Sequence, residues 1–166
     1  MNNGKVMEQQ FRKSAKKVPG LFFYRLRDGT ASFYGGKEDS RIRFQQRNIA
    51  DVVMFKTPVL YLLELKTHNG ASLPRAKVRE NNLKDLAEAA EYSNVVSGFI
   101  VDFAERGKAF YVDSRRVKQF LEDADRKSIP IAWFEQNGVR VGIQQLKVNK
   151  LYDVKTFTDE MNKKAI

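Results

Sequence analysis

Apolar positions along this chain recur at two spacings, and the switches between them mark out the elements. In residues 4–17, Val6, Phe11 and Ala15 form a stripe at helical spacing, with Lys13, Lys16 and Lys17 near the C-terminal end, where cations suit the helix dipole. Pro19-Gly20 stops this helix. Residues 21–27 alternate as a strand, and Asp28-Gly29 reads as a turn. Residues 49–55 and 59–66 are two apolar runs with Lys56-Thr57-Pro58 between them, a connection short enough to predict an antiparallel hairpin. A loop at Thr67-His68-Asn69-Gly70 follows. Residues 77–92 then predict a helix with Val78, Leu83, Leu86, Ala87 and Ala90 on one side. Residues 95–103 are too continuously apolar for an edge strand, and 109–112 begin another. Asp113 or Ser114 caps a helix over about 115–126. Residues 129–134, including Trp133, predict a short strand, Asn137-Gly138 a turn, and 139–143 a run placed to pair back. Asp153 opens a last helix over 153–164. With no repeat, low-complexity tract or linker, residues 1–166 read as one mixed α/β domain.

Composition narrows the class. The chain has 166 residues, 30% of them charged, and no cysteine, which excludes disulfides and thiolate-held zinc. No apolar run reaches membrane-spanning length and the N-terminus lacks a signal peptide's apolar core, so a cytoplasmic protein without a membrane partner is expected. The net charge of +10 is uneven: residues 1–50 hold eleven Lys/Arg against four acids, leaving a surplus of only three for the other 116 residues. A regional basic excess suits a polyanion, because bound phosphates release counterions. Aromatics interleave with it at Phe22, Phe23, Tyr24, Phe33, Tyr34 and Phe44. Residues 30–47, with Lys37, Arg41, Arg43 and Arg47, read as an exposed basic loop or β-ribbon projecting from the body.

The hairpin holds the candidate chemistry. Asp51 opens one apolar run, and Glu64 and Lys66 interrupt the other at i and i+2, which puts both on one face of a strand. Hydrolysing a phosphodiester requires a positioned water and relief of negative charge in the transition state. A hard divalent metal supplies much of this and prefers oxygen ligands. Asp51 and Glu64 supply two such ligands and the Leu65 carbonyl a third, with Mg²⁺ as the expected ion and Mn²⁺ as a substitute. Lys66 is placed to hold the water or to offset developing charge, and Glu8 on the first helix adds an acid from across the site. On their own, these residues also fit a solvated salt bridge on an edge strand.

Asp51 followed thirteen residues later by Glu64-Leu65-Lys66 resembles the PD-(D/E)xK nuclease signature, with Ala50 where proline often stands. Three further segments resemble the RecU-like Holliday-junction resolvases. These are Asn3-Gly4 with Glu8, then Leu73-Pro74 with Glu80-Asn81-Asn82-Leu83, and Arg126-Lys127-Ser128-Ile129-Pro130. Asn82 stands where many members carry glutamine, and keeps the ability to hydrogen-bond a phosphate or water with a shorter reach.

The resemblance implies a restriction-endonuclease-like α/β fold with a central mixed β-sheet flanked by helices and a protruding basic stalk or loop at residues 28–47. It implies a structure-selective endonuclease that resolves Holliday junctions by paired symmetric nicks in recombination and repair. Branched DNA would be its substrate and a recombinase a further partner, and the source would be bacterial or phage. Two cuts need two active sites, hence a homodimer. Lys66, Glu8 and Asn82 would assist catalysis. Phe33, Tyr34, Lys37, Arg41, Arg43, Phe44 and Arg47 would contact DNA at the branch point, with Arg75 and Lys77 as further phosphate contacts. His68, the one histidine, reads as a loop residue near DNA or solvent, Thr67 as a neighbour of the site, and Trp133 as core or interface. Two other readings fit the same residues: a superfamily nuclease acting on duplex DNA, and a non-cleaving DNA-binding recombination accessory protein.

Overall fold

The computed structural model of this protein describes residues 3–26, 48–124 and 126–165. The basic segment, with Phe33, Tyr34, Lys37, Arg41, Arg43, Phe44 and Arg47, lies outside the described residues. The chain runs α1 (Asn3–Ala15), β1 (Phe22–Arg25), β2 (Val52–Lys56), β3 (Val59–His68), β4 (Ser72–Pro74), a 3₁₀ turn (Arg75–Lys77), α2 (Glu80–Ala89) and β5 (Val95–Phe103). It continues through β6 (Lys108–Asp113), α3 (Ser114–Ala124), β7 (Ser128–Pro130), α4 (Ile131–Asn137), β8 (Val139–Val141), β9 (Ile143–Gln145), β10 (Lys150–Tyr152) and α5 (Val154–Ala165).

Six strands form one mixed sheet in the order β1-β2-β3-β5-β6-β8. The β2–β3 hairpin is antiparallel, as the short connection requires, with Val52 opposite Leu63 and Lys56 opposite Val59. β3 and β5 run parallel, with Glu64 beside Phe99 and Lys66 beside Val101, so the chain crosses over through β4 and α2. β5 is buried along nearly its whole length, which is why its sequence does not alternate.

Both faces of the sheet are packed. On one, Met54, Tyr61, Leu63, Leu65 and Ile100 meet Met7 and Phe11 of α1 and Val154 and Phe157 of α5. On the other, Phe99, Val101 and Val112 meet Leu83 and Leu86 of α2, Val117 and Leu121 of α3, and Phe134 of α4. Each such large side chain contributes about 1.5–3 kcal/mol by leaving water. β10 is tied down by polar bonds: Lys150 and Tyr152 both donate to the buried Asp102 carboxylate, and Ser14 Oγ accepts the Tyr152 N–H at 2.9 Å.

The structure corrects three local expectations. The strand expected at 129–134 ends at Pro130, and Ile131–Asn137 is a helix; Pro130, with φ −70° and ψ 149°, is the extended residue before its first turn. Trp133 therefore lies on α4 against Phe120 and Phe134. Asn137-Gly138 ends this helix and is not a hairpin turn: the Gly138 N–H donates to Phe134 O at 2.8 Å, and β8 pairs with β6. The helix expected from residue 77 starts at Glu80, after the 3₁₀ turn. Asp113 and Asp153 cap α3 and α5 as expected, accepting the N–H groups of Arg115 and Thr156.

Gly98 sits where β5 is sandwiched most tightly: a Cβ there would lie 2.1 Å from Val112 O. That neighbour is backbone in a central strand and cannot move aside. Gly98→Ala is expected to lose about 3 kcal/mol or more of unfolding free energy. Urea melts of the two proteins check this, and equal midpoints would contradict so close an approach.

Candidate active site

β2 ends one residue short of Asp51, where the chain bends. The backbone of Asp51 is held on both sides, its N–H donating to Leu63 O at 3.1 Å and its C=O accepting from Leu26 N–H at 2.9 Å. Its carboxylate turns onto β3, where Oδ2 accepts the Leu65 N–H at 2.7 Å. Asp51 thus grips β3 at residues 63 and 65 and brackets Glu64 between them. The N–H and C=O of one strand residue point to the same side. With its N–H on Asp51, Leu65 therefore also turns its carbonyl toward the side where β2 has ended.

Glu64 is buried, and its Oε1 accepts from Lys66 Nζ at 2.6 Å. Glu8 on α1 faces the same cavity of about 670 Å³, which is also lined by Asp51, Leu65, Lys66, His68, Lys77 and Arg79. Glu8 is paired with Arg25 at 2.5 Å. The Asp51 carboxyl is pushed up to about 6, chiefly by burial and then by the Glu64 charge, against the pull of the Leu65 N–H and Lys66.

A hard divalent cation fits this donor set. Two carboxylates on adjoining strands and a carbonyl turned away from the ladder supply oxygens, and the raised Asp51 titration marks a place short of positive charge. Among the described residues no three histidine or acidic side chains cluster to hold a metal, so the donor set here is two carboxylates and one carbonyl.

The other candidates divide. Lys77 lines the cavity, donating to Thr67 O at 2.9 Å. Arg75 faces elsewhere, donating to Leu121 O at 3.2 Å with Glu80 beside it at 3.6 Å. Asn82 is buried in the first turn of α2 and does not line the cavity. His68 ends β3 on the face that Glu64 and Lys66 share and was misplaced as a loop residue. The two-residue period through 64, 66 and 68 was the signal for it. Arg79 also lines the cavity.

A model of the RecU family, Recombination protein U, matches residues 42–155, more than two thirds of the chain. The chain belongs to the RecU family. The SPbeta prophage-derived uncharacterized protein YotM of Bacillus subtilis (strain 168), a relative of this RecU-family chain, is 30% identical over 178 residues. That match covers 98% of this chain and 88% of YotM. Among solved structures, Archaeoglobus fulgidus Hjc, a Holliday junction resolvase, matches with a TM-score of 0.54 at 14% identity, over 82% of this chain and 95% of Hjc. The RecU-family chain therefore has the restriction-endonuclease-like fold, a central mixed sheet flanked by helices.

Without metal, Asp51 has a stability consequence. Its titration is raised from 3.8 to about 6, so the protonated form is favoured by folding. That stabilisation is complete below about pH 4 and is lost as pH rises through about 6. Asp51→Asn removes the charge and keeps an acceptor for the Leu65 N–H. In chelator it is expected to match wild type near about pH 4 and to exceed it by about 1–3 kcal/mol near about pH 8. Thermal and urea melts at both pH values measure this, and a less stable variant at the higher pH would reverse the sign.

Proposed function

We propose that this chain is a divalent-metal-dependent DNA endonuclease that resolves four-way junctions by paired nicks. The observation that carries the reading is the convergence of Asp51, Glu64 and Lys66 in one cavity of a RecU-family fold. Hjc, a Holliday junction resolvase by its description, supports it through the shared fold.

Asp51, Glu64 and the Leu65 carbonyl would hold Mg²⁺, with Mn²⁺ as a substitute. Bound there, the ion supplies charge against the phosphorane-like transition state and polarises water. The chain's own residues orient the rest. Asp51, gripping β3 by two bonds, fixes the direction of the Glu64 carboxylate. Lys66 offers ammonium donors on the Glu64 side of the cavity, to hold the attacking water and to offset charge on the non-bridging oxygens. Water oxygen bonds to phosphorus as the bond to the leaving sugar oxygen breaks, and that oxygen takes up a proton. Glu8, held by Arg25, adds negative potential beside Asp51 and stands as a further water-orienting group.

A resolvase cuts twice, so it acts as a homodimer. A net charge of +10 repels a second copy, which favours a contact over an uncharged surface. Phe22 and Tyr24 of β1 lie opposite Phe55 and Val53 of β2, on one sheet face, and the three aromatics are 58%, 53% and 42% exposed. This face continues directly into Asp51 and Glu64, which suits a second copy whose cut must be coordinated with the first. Branched DNA is the substrate, and a recombinase partner fits the recombination role.

Asp51→Asn and Glu64→Gln are expected to slow cleavage of a synthetic four-way junction in Mg²⁺ by about a thousandfold, and Lys66→Ala by about 10²–10⁴. Junction binding by these variants should remain. The same panel on linear duplex separates the duplex-nuclease reading, and a wild type that binds junctions but cuts nothing across metals and pH would leave the non-cleaving accessory reading standing. Phe55→Asp should convert the dimer to monomer by light scattering, with single nicks replacing paired ones. A variant that stays dimeric would move the interface elsewhere.

A further inference from the structure

We propose that Lys77, held in place by His68 and joined by Arg79, forms a second phosphate subsite on the wall of the same cavity, which takes a backbone phosphate further along from the one that is cut. The inference rests on the nuclease reading, in which Lys77 was expected to contact phosphate, and adds roles for His68 and Arg79.

Lys77 Nζ donates to Thr67 O at 2.9 Å and lies 3.3 Å from His68 Nδ1. An ammonium has three donors and no acceptor, so Nδ1 accepts and the ring is the neutral tautomer with its proton on Nε2. Burial, then the Lys77 charge, holds His68 below its ordinary range, in agreement with a neutral ring. The other side of the ring rests on Gly70, where a Cβ would stand 2.9 Å from Nε2 and push the ring out of this position. The ring is thereby wedged between the 69–70 turn and the 3₁₀ turn that carries Lys77.

The cations of this cavity differ in what they meet. Lys66 is bound to Glu64. Among the described residues Lys77 is bound to two neutral acceptors and no acid, so its full charge and its third N–H remain for a ligand. Arg79, exposed at the N-terminus of α2, has no ion pair among the described residues. A point charge and a guanidinium fork on one wall, with ordering already supplied by His68, match the oxygens of a phosphodiester. His68 lies four residues beyond Glu64, about 13 Å along β3. The subsite therefore serves a phosphate further along the backbone and not the reacting one.

His68 is a positioning residue, acting through Lys77. The test uses the full chain, four-way junction DNA and the variants His68→Ala, His68→Asn, Lys77→Ala and Arg79→Ala, each checked for an unchanged melting curve. Lys77→Ala should weaken junction binding about fivefold to tenfold and lower the slope of log affinity against log salt by about one. Arg79→Ala should act in the same direction. His68→Ala should reproduce part of the loss, raising KM with kcat nearly unchanged. His68→Asn, whose Oδ1 can stand where Nδ1 does, should restore it. Wild-type affinity and salt slope in His68→Ala would overturn the positioning role, and an unaltered slope in Lys77→Ala would overturn the subsite. If wild type cuts no DNA, the nuclease reading fails instead, while the binding and salt-slope measurements still decide the subsite.

Discussion

The rest of the site depends on one hydrogen bond, from the Leu65 N–H to the Asp51 carboxylate. With the Asp51 N–H on Leu63 O, it clamps β3 on both sides of Glu64. Two carboxylates are thereby held close in a half-buried place, where their repulsion is costly, as the upward shift of Asp51 records. A carboxylate tolerates such a place when backbone N–H groups and a nearby cation oppose the repulsion, which Leu65 and Lys66 do here. The arrangement is stable enough to fold and short enough of positive charge to bind more.

The fold makes such a clamp possible by fixing β3 first. β3 lies between β2 and β5 near the centre of the sheet, with α1 and α5 against one face and α2, α3 and α4 against the other. Its alternate residues Tyr61, Leu63 and Leu65 are buried, so the intervening positions 64 and 66 have no freedom to rotate to the other face. β2 then needs only to stop at Val52 for Asp51 to bend over the open end of the ladder. Glu8 arrives from α1, whose Met7 and Phe11 anchor it to the same sheet.

The acids and the lysine were legible because strand geometry is simple: i and i+2 share a face, and a short connection makes a hairpin. The order of long elements was legible for the same reason, as in the apolar run of β5. What escaped were features too short to show a period. β4 and β7 are three residues each and pair only with one another, as do β9 and β10. The apolar stretch through Trp133 fits either strand or helix, and only its packing on Phe120 and Phe134 decides between them. His68 was missed because its turn-like neighbours Asn69 and Gly70 suggested a loop, although the strand period ran on to it. The bend that turns Asp51 onto Leu65 has no sequence signal, since it depends on where the partner strand stops. Asn82, expected at the site from the family resemblance, is buried on α2 and is not among the residues lining the cavity, while Arg79 is.

A single face of the hairpin carries two different surfaces in series. On β3, Leu60 and Leu62 are followed by Glu64, Lys66 and His68; on β2, Phe55 and Val53 lead back to Asp51. The apolar half and the charged half are consecutive positions of the same pleat, about 6.6 Å apart per step. A contact made over the apolar half is therefore transmitted to the charged half through paired backbone and not through a loop, and strand rise fixes the distance between them. If the chain makes the paired cuts proposed above, that rigidity matters more than the strength of the contact, because an error in spacing between two sites cannot be repaired by affinity. The candidate chemistry and the exposed apolar face are in this sense one structural unit, set by the period of two along β2 and β3.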